Sequence, residues 1–174
     1  MKKTLMVAVM ACLAMPALAI ETRGGTAADY AEIQAFHDKS IAKSNAGDRQ
    51  GALDDYLDRV RVLNTKSKVI TGKAEMRAGA EKPNPATRGY LVSEIEELEV
   101  NGSGVGAWAY MICRYASATL ARDTGQPVSE PVNGRYTALL SKTPQGWKVL
   151  LDLDNGALGA VPEMTARLKQ EIAK

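Results

Sequence analysis

The chain has 174 residues, with 22 basic and 20 acidic side chains, a formal charge of +2 and one histidine. That length suits one domain around a single core, and no basic field argues for nucleic acid or an anionic membrane surface. Its two cysteines, Cys12 and Cys113, make no disulfide framework, and there is no Cys-x-x-Cys or ladder of histidines to hold a metal.

The first residues, MKKTLMVAVMACLAMPALA, read as a secretory signal. Lys2 and Lys3 form a basic start, Leu5 to Met15 an apolar run too short to span a bilayer, and Ala17-Leu18-Ala19 a small-residue cleavage site. Cleavage after Ala19 predicts a periplasmic or secreted protein with as many acids as bases. The alternative, a lipoprotein anchored at Cys12, has a poor lipobox in Val9-Met10-Ala11. No later run reaches transmembrane length, so no membrane span is expected.

Residues 20–26 read as a flexible leader. TAADYAEIQAFHDKSIAKSNAG then reads as a helix, with Thr26 as N-cap and Gly47 as stop. Tyr30, Ile33, His37 and Ile41 recur at helical spacing, with Phe36 beside them. Asp48 can cap a second short helix presenting Leu53, Tyr56 and Leu57. Val60 and Val62, then Val69 to Thr71, predict two short strands around Asn64-Thr65-Lys66. KAEMRAGAEK makes a third helix, which Pro83 and Pro85 end.

The remainder reads mostly as strand. Tyr90 to Val100 is one, and the out-of-phase Ile95 and Leu98 predict a bulge near Glu96-Glu97. Asn101 to Gly104 turns the chain into a long strand, Val105 to Leu120. Alternation there puts Ala109, Met111, Cys113, Tyr115 and Ser117 on one face and Trp108, Tyr110, Ile112 and Arg114 on the other. Both faces carry bulky residues, so both should be covered. Arg135–Lys142 and Trp147–Leu153 form a closing hairpin around Thr143-Pro144-Gln145-Gly146. Pro162 opens a final helix with Met164, Leu168 and Ile172 in one stripe.

Four segments carry a family likeness: AGDRQGALDDYLDRVRVL, VITGKAEMRAG, VGAWAYMICRYASATL and NGRYTALLSKTPQGWKVLLDLDN. Their order and spacing resemble the SnoaL-like branch of the nuclear transport factor 2-like superfamily. The resemblance implies an α+β cone over residues 27–156: a curved, mostly antiparallel sheet wrapped around three N-terminal helices, with a pocket at its open end. It also implies a homodimer packed through the outer sheet face. Relatives include isomerases, dehydratases, epoxide hydrolases and cyclases, and many have no known activity, so the fold does not by itself assign one. The tail, residues 157–174, lies outside the usual pattern and could cover the domain, a partner or the pocket mouth. Asp154 also departs from the pattern, since many relatives carry an aromatic there.

The candidate site follows from combining these readings. Alternation along Trp147–Leu153 puts Trp147, Val149, Leu151 and Leu153 on the apolar face, leaving Asp152 and Asp154 outside or at the rim, where acids often end strands. A bulge or curvature would instead turn Asp152 into the cone, where burial would raise its pKa toward that of a general base. The resemblance keeps this inward reading open, because relatives carry a matching acid. His37, facing inward on the first helix, is either a packed core histidine or a second acid–base group. Tyr56, Tyr115 and Tyr136 could donate to a ligand or close the core, and Met111 would line the pocket. Cys113 reads as an inert small hydrophobe. Arg114 reads as an outer-face residue paired with Glu94 or Glu96. No phosphate loop, nucleophile elbow or zinc motif is present, so the expected partner is a small apolar molecule without cofactor or metal. The competing reading is a non-catalytic dimerisation or protein-interaction module.

Overall fold

The computed structural model describes residues 20–63, 69–80, 84–154 and 159–174. The signal segment, the turn at residues 64–68 and Asn155 therefore lie outside the described residues. The elements run β1 (Glu21–Gly24), α1 (Ala27–Ala46), α2 (Arg49–Leu53), β2 (Tyr56–Leu63), β3 (Val69–Thr71), α3 (Lys73–Ala80), β4 (Thr87–Asn101), β5 (Trp108–Ala121), β6 (Val132–Thr143), β7 (Gly146–Asp154) and α4 (Pro162–Ile172). One mixed sheet of seven strands has the order β1-β4-β5-β6-β7-β2-β3. Among the described residues, only β1·β4 and β2·β7 pair in parallel. No described helix is long and apolar enough to cross a membrane.

Local chemistry sets the ends of α1. Thr26 and Asp29 form a reciprocal capping box, and Gly47 ends the helix in the left-handed region at φ 74°. The start of α1 is tied to the β6–β7 hairpin: Lys142 Nζ reaches Asp29 Oδ1 at 3.1 Å and Glu32 Oε2 at 2.8 Å, and Trp147 Nε1 donates to Glu32 at 3.2 Å. Ile33 is fully buried in one core cluster with Val60, Ile95, Leu98, Met111, Leu140, Trp147 and Val149. At the far end, the Asn45 side chain donates to the Leu91 carbonyl at 2.8 Å and accepts from the Leu91 N–H at 2.7 Å. These bonds satisfy the β4 backbone at Leu91, outside the stretch Glu97–Val100 that β1 covers. The helix thus lies across the concave face from its closed end to its rim.

Three elements differ from the sequence reading. The leader forms an edge strand, β1, whose Glu21–Gly24 pair with Glu97–Val100. The second helix stops at Leu53, so Tyr56 and Leu57 begin β2 and do not lie on a helix face. The largest difference lies in β7. Leu139 pairs with Leu151, but Leu140 pairs with Val149, so Leu150 is an extra residue in β7. This bulge reverses the alternation. Trp147 and Val149 point into the core, and after the bulge Asp152 and Asp154 point inward, while Leu151 and Leu153 take the outer face. The expected bulge in β4 is present, with the register shifting between Ile95 and Glu97.

The outer face is closed at one end by α4. Met164, Leu168 and Val161 pack on Val92, Ala116, Ala118 and Leu120. Asn133 accepts from the Val161 N–H at 2.5 Å and donates to Thr165 at 2.9 Å. Arg114, buried, pairs with Glu94 and also reaches Glu163 at 3.6 Å. Arg167 joins Glu94 from α4, and Arg135 holds Glu96 through two bonds of 2.6 and 2.9 Å. The tail therefore covers its own domain, away from the cone. Glu94 and Glu96 are thus both partners of arginines, as expected of Arg114 and Glu94.

Candidate functional site

The concave face and α1 enclose a cavity of about 360 Å³. Its wall on α1 is Phe36, His37, Ser40, Ile41 and Ser44. From the sheet come Tyr56, Leu91, Met111, Tyr115, Ser117, Tyr136, Ala138, Val149, Asp152 and Asp154. All six predicted site residues, Asp152, His37, Tyr56, Tyr115, Tyr136 and Met111, line this one cavity. A wider depression of about 810 Å³ lies between residues 126–131 and the end of α4, but the charged side chains described along it, Glu130 and Lys169, are exposed. It lacks the convergent buried polar groups of the cone.

Two phenol–carboxylate pairs stand at the sheet end of the cavity. Tyr56 donates to Asp152 Oδ2 and Tyr115 to Asp154 Oδ1, each at 3.2 Å. Burial pushes the Asp152 carboxyl up to about 6, and the Asp154 charge adds to the rise, while the Tyr56 bond opposes it. The same burial and the neighbouring carboxylates push both phenols upward, Tyr115 to about 12, so both stay protonated donors at neutral pH.

A second chain of hydrogen bonds crosses the cavity from α1 to β6. His37 Nε2 lies 3.0 Å from Ser93 Oγ, which lies 3.3 Å from the Tyr136 hydroxyl. His37 Nδ1 lies 3.3 Å from Asp38 Oδ1. Burial lowers the His37 pKa, so the ring is held neutral, with the Asp38 carboxylate partly countering the effect. Tyr136 is raised well above the ordinary phenol range by burial, and Cys113, pushed up to about 12, is a protonated thiol with no nucleophilic character at neutral pH. The Tyr115 and Tyr136 rings meet at 6.0 Å between centroids.

Sequence reasoning missed Ser93, the link between His37 and Tyr136. Its signal was positional: Leu91, Ser93 and Ile95 share one face of β4, so a hydroxyl interrupts an apolar row. Met111 and Ala138 are buried core residues that give the cavity an apolar floor. Among the described residues, no three His, Cys, Asp or Glu side chains converge as metal ligands would.

No family model matches the chain, and no curated protein matches its sequence. Solved structures do match its fold. A ketosteroid isomerase-like protein from Erwinia carotovora atroseptica is 19% identical, with a TM-score of 0.58 over 74% of this chain and 95% of that one. An NTF-2 like protein of unknown function from Shewanella oneidensis is 17% identical, with a TM-score of 0.56 over 71% and 96%. A candidate scytalone dehydratase from Novosphingobium aromaticivorans is 10% identical, with a TM-score of 0.58 over 72% and 82%. The curved sheet, the helix in its hollow and these matches agree on one architecture: the chain has the nuclear transport factor 2-like cone fold.

Proposed function

We propose that the cone binds a small, largely apolar molecule and performs cofactor-free acid–base chemistry on it, of isomerase, dehydratase or hydrolase type. The observation that carries this reading is Asp152: a carboxyl inside an apolar-floored cavity, raised to about 6, and held by a phenol. At neutral pH such a group is mostly ionised, yet basic enough to take a proton from a ligand C–H or a water and return it. His37, neutral and linked through Ser93 to Tyr136, is the second group able to carry a proton. Tyr115 and Tyr136 are the donors that would orient a ligand oxygen. The isomerase-like and dehydratase-like neighbours support the class of chemistry, not a substrate.

The protein-interaction reading has less support. The apolar stripe of the tail helix is spent on its own sheet, with Met164 and Leu168 buried. Homodimerisation fits alongside the enzyme reading. Beyond α4 the outer face presents half-buried Tyr110, Ile112, Leu139, Leu151 and Leu153, with Trp108 44% exposed at its edge. We also propose export and cleavage after Ala19, on the strength of the N-terminal pattern.

Native mass spectrometry on protein purified gently from a bacterial periplasm tests these readings together. The expected spectrum is a dimer of chains starting at Ile20, carrying a small extra mass. Asp152→Asn or His37→Ala should lose that mass and keep the dimer. An empty protein indifferent to both substitutions contradicts the cone reading.

A further inference from the structure

The cavity does not end at its rim. The β4–β5 register pair Leu91–Ser117 lines the cone, and the next pair on the same face, Gly89–Thr119, lines a second groove of about 440 Å³. Ser44 of α1 lines both. One continuous surface therefore runs from the cone into the groove, with the second pair only about 7 Å beyond the first at the usual strand rise.

The chemistry changes at that step. Among the described residues, Arg49, Arg88 and Arg122 line the groove, and no carboxylate does. The described acids adjacent in sequence to Arg49 and Arg122, Asp48 and Asp123, each engage a local backbone N–H. Asp48 Oδ1 accepts from the Gly51 N–H at 2.8 Å, and Asp123 Oδ1 accepts from the Thr124 N–H at 2.8 Å. Two of the guanidiniums are braced by backbone carbonyls: Arg88 Nη1 donates to Asn45 O at 3.2 Å, and Arg122 Nε donates to Thr87 O at 3.0 Å and Asn84 O at 3.4 Å. Arg88 also lies 5.4 Å over the Tyr90 ring. Each guanidinium has five N–H donors, so each keeps donors to spare after these bonds. Placed together with no described carboxylate lining the groove beside them, such groups suit a carboxylate, which they can bind in bidentate fashion.

We propose that the ligand of this cone is an elongated amphipathic acid, its apolar body in the cone and its carboxylate held in the groove by Arg49, Arg88 and Arg122. The inference rests on the cone being a small-molecule site and adds the chemical class of its ligand. Length follows from register. Thr119 stands six residues beyond Cys113, which shares a row with Asp154, and that interval is roughly 20 Å along an extended strand. A compact acid cannot reach both ends.

Calorimetric titration with ω-phenylalkanoic acids of increasing chain length, each matched with its carboxamide, tests this. Short acids and amides should bind alike. Past the length at which the head group enters the groove, the acid should bind about tenfold tighter than its amide or better, a gap that added salt narrows. Arg88→Gln combined with Arg122→Gln should close the gap and leave amide binding unchanged, which also shows that the variant folds. Arg49→Gln, which disturbs no backbone carbonyl, should narrow the gap in the same direction. Acids and amides that bind equally at every length, or a gap that survives the arginine variants, would overturn the inference while leaving the cone reading intact. If neither series binds, the cone reading itself fails.

Discussion

The two faces of the sheet treat charge in opposite ways. On the outer face Glu94 and Glu96 meet Arg114, Arg167 and Arg135, with Arg167 supplied by α4. On the inner face Asp152 and Asp154 meet the phenols of Tyr56 and Tyr115. An arginine holds a carboxylate ionised across the physiological range, as Arg135 does for Glu96, whose pKa it lowers. A phenol can stabilise the ionised form only modestly, so burial wins and Asp152 rises toward neutrality. The outer face is built to stay as it is, and the inner face is built to change protonation state.

The sharpest way to break this contrast is to damage each face and compare. Leu168→Ala on α4 empties a fully buried position of the outer face and should cost about 2–5 kcal/mol in urea unfolding, with affinity of the cone for its ligand retained. Asp152→Asn should act in the other direction at high pH. A carboxyl raised from 3.8 to about 6 on folding stabilises the fold fully below its unfolded pKa, and that contribution fades as pH rises through about 6. Wild type should therefore lose up to about 3 kcal/mol relative to Asp152→Asn between pH 4 and pH 8. Denaturation midpoints at the two pH values check the sign. A smaller effect is expected for Arg114→Gln, about 1.5–3 kcal/mol, because Arg167 still holds Glu94; double-mutant comparison with Glu94→Gln would isolate the pair. The smallest is Tyr56→Phe. It removes the bond that lowers the Asp152 pKa, so the ionisation that gates any base chemistry should move to higher pH, by less than about one unit. A profile that moves to lower pH would reverse the assigned role of the phenol.

Much of the fold was legible because its signals are local. Thr26, Asp29 and Gly47 mark α1 by capping chemistry alone. In β4 the bulge betrays itself, since Ile95 and Leu98 cannot share a face without one. In β7 nothing does so. Leu150, Leu151 and Leu153 offer an apolar face in either phase, and only the register against β6 decides that Asp152 turns inward. The tail stripe was visible, but its docking place depends on Ala116, Ala118 and Leu120, small or apolar residues in the same phase as the charged Arg114. Of the site, the six named residues were reached through family likeness joined to alternation, whereas Ser93 and the groove of Arg49, Arg88 and Arg122 depend on tertiary neighbours. Positions 49, 88 and 122 have no sequence pattern in common and meet only where the end of α1 crosses the ends of β4 and β5.

The measurement that tests the account most directly is the titration of the Asp152 carboxyl by carbon-detected NMR in the folded protein, assigned by loss of the signal in Asp152→Asn. The expected midpoint is near 6, shifting upward in Tyr56→Phe. A midpoint near 4, unmoved by that substitution, would mean that Asp152 meets water like any acid at a strand end. The inner face would then be no more suited to proton transfer than the outer one.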